Sequence, residues 1–110
     1  MNFDHRAHVQ AAWTCIAEHG LSGAVVRFPK FLRGVAAAAG VPENYHETVT
    51  WGFLLLIADR QRAGESFADF VARCPEVLDR QILQLYWLPE TLASDRARKS
   101  FVFPDRRLSA

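Results

Sequence analysis

The stretch Val49–Ala58, VTWGFLLLIA, is apolar at every position except Thr50. Pro42 precedes it, Asn44 and Glu47 stand before it at capping-box spacing, and Gly64 follows it. This predicts one helix that starts after Pro42 and runs to about Ala63, apolar on almost every side. Such a helix has little surface to offer to water, so the rest of the chain must surround it. At half the length needed to cross a bilayer, it predicts the central helix of a folded domain rather than a membrane span.

The remaining punctuation is helical too, and alternating β-branched runs are nearly absent, so the predicted class is all-α: a single-domain bundle of five or six helices around that buried helix. Asp4 caps a first helix over about residues 5–19, with Val9, Ala12, Trp13 and Ile16 as its apolar stripe and Gly20 as its stop. Ser22 opens the next segment, which ends at Gly40. Pro29 lies in its middle and predicts either a kink or two short helices, because proline brings no amide hydrogen. Ser66 and Asp69 start a short helix with Phe67, Phe70 and Val71 facing inward, stopped by Pro75. Further helices are expected over about 79–87 and from Pro89 to about Ser100. Residues 101–110, with Pro104, Arg106 and Arg107, are expected to lie extended on the surface or to fray.

Size and charge narrow the function classes. A chain of 110 residues, half of them apolar, forms one domain and holds a core without disulfides or a structural metal. Thirteen basic side chains against twelve acidic ones, a net charge of +1, lack the cationic excess of a general nucleic-acid binder. Small molecules or proteins are the expected partners, with a homodimer as one option; no nucleic acid or membrane partner is expected. Cys15 and Cys74 lie far apart without C-x-x-C spacing, which predicts two buried free thiols. Met1–His8 lacks the basic segment and apolar core of a secretory leader, so a cytoplasmic setting is expected.

Three of the four histidines fall at predicted helix starts. His5 and His8, three residues apart, project from one side of the first helix, and His46 stands with Glu47 at the start of the third. The positive end of a helix dipole favours neutral imidazole, the metal-binding form, and ionised Glu47. If the two termini meet, three nitrogen donors and one carboxylate suit a divalent transition metal, zinc or iron first. Adjacent helical residues diverge by about 100°, so His46 is the better ligand and Glu47 either a ligand or a general base beside it. Capping alone would also account for Asp4 and Glu47. Trp13, Tyr45 and Trp51 lie within about a turn and could line a substrate pocket, although both tryptophans also suit the core. His19, beside Gly20, reads as a cation at a helix C-terminus.

Arg27, Lys30 and Arg33 share one helix face and read as solvated, and Glu90 and Asp95 offset Arg96, Arg98 and Lys99. No phosphate-binding glycine loop, nucleophile elbow or Ser-His-Asp order is present in the sequence.

The segments Phe3–Trp13 and Tyr45–Thr50 resemble a group of small bacterial all-helical proteins that pair an F-x-H-x-x-H-x-x-x-A-W start with Y-H-E-T; Pro89–Asp95 is similar to that group as well. The resemblance implies that the two motifs occur together, and it brings no activity with it. The residues therefore predict a small metal-dependent enzyme acting on a small organic molecule. The metal would be held by His5, His8 and His46 with Glu47 as fourth ligand or base. Two alternatives stay open: metal-free acid–base catalysis by Glu47 and a histidine, or a non-enzymatic binding or dimerisation module.

Overall fold

The computed structural model describes residues 4–107. Among them the regular structure is entirely helical: α1 (His5–Ala38), α2 (Glu47–Arg60), α3 (Phe67–Arg73), α4 (Pro89–Leu92) and α5 (Asp95–Lys99). Single 3-10 turns occur at Pro42–Asn44, Pro75–Leu78 and Ile82–Leu85. No helix among the described residues is long and apolar enough to cross a membrane.

The Asp4 carboxylate accepts the Ala7 amide hydrogen at 2.9 Å and so opens α1. At Gly20, φ 70° and ψ 172° break the helical path and divide α1 into two arms, residues 5–19 and 21–38. A residue with a Cβ meets steric conflict at that φ, so glycine is the residue for this elbow. The second arm continues through Pro29, and Gly20 is the only position inside α1 with non-helical dihedrals. The kink expected at Pro29 is therefore absent. Proline's fixed φ already suits a helix, and its ring is buried beside Phe28, which offsets the missing amide bond. The arm ends in a Schellman arrangement, with Gly40 N–H donating to Ala37 O and Val41 N–H to Ala36 O.

His46, not Asn44, caps α2: its ring Nδ1 accepts the Val49 amide hydrogen at 3.1 Å. The helix also stops earlier than predicted, at Arg60, because Gln61 turns extended and gives its side-chain amide to the Trp13 carbonyl. Leu54, Ile57 and Leu56 are buried, but Leu55 is 40% exposed, so α2 shows an edge to solvent instead of being enclosed all round. It packs most extensively against α1 and next against α5. Gly52 lets it approach the last part of the chain: a Cβ there would meet Leu83 Cδ1 at 3.0 Å and Trp87 Cζ3 at 3.2 Å.

α3 begins where expected, with Ser66 accepting from Asp69 N–H. Phe70 is fully buried, and Phe67 and Val71 pack beside the core. Cys74 is buried and Cys15 only partly so, and both thiols are free.

Beyond α3 the expected helices are replaced by shorter pieces. Residues 79–87 hold a 3-10 turn, not a helix, and Pro89–Ser100 is two helices because Ser94 interrupts it. The Ser94 hydroxyl donates to Thr91 O and accepts from Ala97 N–H, closing α4 and opening α5. Residues 101–107 form no regular element and are tied to the rest of the chain by side-chain contacts and hydrogen bonds. Phe101 lies against Trp51 and Trp87, Trp87 Nε1 donates to Val102 O, and the Asp105 carboxylate accepts from Leu88 N–H and the Thr91 hydroxyl. Thr48, fully buried, donates to Ser100 O and accepts from Val102 N–H.

Candidate functional site

The elbow at Gly20 leaves space between the two arms of α1, and α2 with the 3-10 turn before it closes that space. The result is a cavity of about 470 Å³. Its apolar wall includes Val9, Phe28, Leu32, Val35, Val49 and Phe53; its polar residues are His5, His8, Asn44, Tyr45, His46 and Thr50. All three histidines singled out in the sequence therefore border one space. This follows from the first arm of α1 lying along the start of α2.

Their hydrogen bonds assign their chemistry. His46 Nε2 lies 2.7 Å from the Leu92 carbonyl, which only accepts, so Nε2 carries the hydrogen. Its Nδ1 lone pair takes the Val49 amide hydrogen. Both ring nitrogens are occupied and the ring is neutral. Burial, with Arg98 adding to it, holds the His46 imidazole below its ordinary range against the opposing pull of the Leu92 bond. His5 Nε2 donates to Val77 O at 3.0 Å, and the ring meets Phe53 edge-on at 4.8 Å. Burial first, then His5 and Arg80, push His8 towards the neutral form, with Asp4 opposing.

Glu47 is outside the cavity lining. It accepts from Arg33 Nη2 at 2.9 Å and from the Tyr45 hydroxyl at 2.7 Å, and the Arg33 guanidinium lies 4.8 Å over the Tyr45 ring. These three side chains clamp the second arm of α1 to the start of α2. Burial and the Glu47 bond push the Tyr45 phenol up to about 12, with Thr50 and Arg33 opposing.

The four-ligand metal set expected of His5, His8, His46 and Glu47 is not assembled. His46 has no lone pair left to give a metal, Glu47 is spent on Arg33 and Tyr45, and no three histidine, cysteine or carboxylate side chains gather as a ligand group among the described residues. Helix capping accounts for His46, and ion pairing accounts for Glu47.

Of the aromatic residues expected to line a pocket, only Tyr45 does so. Trp13 packs edge-on against Phe67 at 5.7 Å and Trp51 lies tilted against Phe101 at 5.6 Å, and neither lines the cavity. Sequence reasoning missed Arg33, whose spacing with Arg27 and Lys30 suggested a solvated face. It also missed the wall formed by Phe28, Leu32 and Val35, which no local pattern marks. Thr50 carried the clearest signal, as the one hydroxyl in an apolar run. No family model, curated protein or solved structure matches the chain.

Proposed function

We propose that this chain binds a small, predominantly apolar organic molecule in the cavity between the arms of α1 and the start of α2. The observation that carries this reading is the cavity itself: about 470 Å³, walled mainly by aliphatic and aromatic side chains, with a few polar groups from three separate segments. That composition and size suit a small-molecule site. Titration of the 15N-labelled protein with a set of small apolar compounds tests it. Amide shifts concentrated at Val9, Val35, Val49 and Phe53 are expected, and they should disappear in Leu32→Trp, which fills the space. A protein that takes up none of them in that region would overturn the reading.

A second reading, acid–base chemistry on the bound molecule, draws support from His8, which is held towards neutral imidazole at the cavity wall. Deuterium incorporation into bound carbonyl compounds in heavy water, lost in His8→Ala, is its expected mark. The metal-dependent reading has less support, because two of its four proposed ligands, His46 and Glu47, are engaged elsewhere. Stoichiometric zinc or iron in untagged protein, lost on His8→Ala, would reinstate it.

A further inference from the structure

Four polar residues of the cavity wall share a property that concerns the occupant. His5 has committed its Nε2 hydrogen to Val77 O, and His46 its Nε2 hydrogen to Leu92 O. The Tyr45 hydroxyl donates to Glu47 Oε1, and the Thr50 hydroxyl donates to the His46 carbonyl at 2.7 Å. In each case the acceptor is a carbonyl or carboxylate oxygen that has no hydrogen to return, so the direction of the bond is settled by chemistry. His46 is then saturated, since Nδ1 also takes the Val49 amide. His5 keeps the Nδ1 lone pair, and the Tyr45 and Thr50 oxygens, which lie close to one another, have no hydrogen left to give and keep acceptor capacity beyond that contact. These side chains retain capacity to accept hydrogen bonds and none to donate them.

The surroundings offer an anion little compensation. Neither lysine nor arginine lines the cavity among the described residues, and Arg33, over the Tyr45 ring, is paired with Glu47. The two helix starts beside the cavity are already capped, α1 by the Asp4 carboxylate and α2 by His46. A carboxylate placed there would lose its hydration and face oxygen and nitrogen lone pairs. Asn44, on the exposed side, and His8 are the remaining polar residues of the lining.

We propose that the occupant is a neutral molecule with an apolar body and a hydrogen-bond donor, an alcohol or an N–H compound, which meets the accepting groups of His5, Tyr45 and Thr50, and that a carboxylate binds more weakly, since only the Asn44 amide and His8 could offer it a hydrogen. This rests on the cavity being a binding site, and it adds the class of ligand.

Calorimetric titration at pH 8 with three probes of similar length tests it: 1-octanol, its isomer 1-methoxyheptane, which has no donor, and octanoate. One neutral hydrogen bond corresponds to about a tenfold difference in Kd. The alcohol should therefore bind about tenfold tighter than the ether, and octanoate more weakly than either. In Thr50→Val, which keeps the shape and removes one acceptor, the alcohol's advantage should shrink while ether affinity holds. Equal binding of alcohol and ether, or preferential binding of octanoate, would overturn the ligand class and leave the binding site standing. Binding of none of the three, together with no response to any small apolar compound in the amide titration, would remove both.

Discussion

Residues 5–60 and 61–107 reach a folded state by different means. The first part is two long helices, one bent at a single glycine, whose packing surfaces repeat over many turns. The second is helices of four to seven residues and 3-10 turns, each too short to be stable alone. It adds Phe70, Val77, Ile82, Leu83 and Trp87 to the common core, and individual bonds fix its pieces to one another. Arg73 joins Glu65 and the Arg60 carbonyl, Ser94 joins α4 to α5, Trp87 holds Val102, and Asp105 ties residues 88 and 91 to the last segment. The first part draws its stability from packing repeated along two long helices, whereas the second combines its share of the common core with single bonds that join short pieces.

The strongest way to break the second part is Trp87→Ala. Trp87 is buried against Phe101 and is the donor to Val102, so its loss should cost about 3–5 kcal/mol, read by denaturant unfolding. It should also release residues 101–107 to rapid amide exchange. In the first part, Gly20→Ala tests the elbow. A Cβ at Gly20 meets no atom within 4 Å, so the cost is that of the backbone conformation alone, about 1–3 kcal/mol. Binding in the cavity should weaken along with it, because the elbow shapes the space. An unchanged melting temperature would show that the arms do not depend on this φ.

The two parts meet at His46, where α2 starts and α4 ends. Burial keeps the folded-state imidazoles of His46 and His8 below the ordinary 6.5, so the unfolded chain binds protons more readily. Stability from these groups is complete above about pH 6.5 and should be lost as the pH falls below it towards their folded-state values. Melting temperatures from pH 8 to 5 should show this decline. His46→Asn, which keeps a capping oxygen, should show a smaller one at a lower starting stability. Leu55→Asp should have the smallest effect, below about 1 kcal/mol, because the side chain is on the exposed edge of α2. A large loss there would mean that another surface covers this edge.

What was legible in the sequence was local. Asp4 and Ser66 each cap the amide three residues ahead, and Gly20 and Gly40 end helical runs, because such bonds and dihedrals involve only neighbours. The same locality misassigned the cap of α2. Asn44, Glu47 and His46 are all chemically able to stand there, and the choice went to His46 because Leu92, distant in sequence, holds the other side of its ring. Residues 79–100 read as helices from their apolar content and broke into shorter pieces for the same reason. Short turns satisfy most of their amides locally, and the Asp79, Ser94 and Asp105 side chains take those of Gln81, Ala97 and Leu88 at the breaks, so a continuous helix is not required.

By itself, then, the sequence determined an all-helical chain, the start of α1, the elbow and the start of α3, along with the histidines worth attention. Only the tertiary structure decided what those histidines do. Docking the first arm of α1 on α2 brought His5, His8 and His46 around one cavity, and the carbonyls of Val77 and Leu92, set in place by the second part of the chain, took the ring hydrogens of His5 and His46. Those two bonds span 72 and 46 residues of sequence, and they determine which lone pairs remain for an occupant. A lone pair's availability depends on its partner in space, and spacing along a chain does not contain that information.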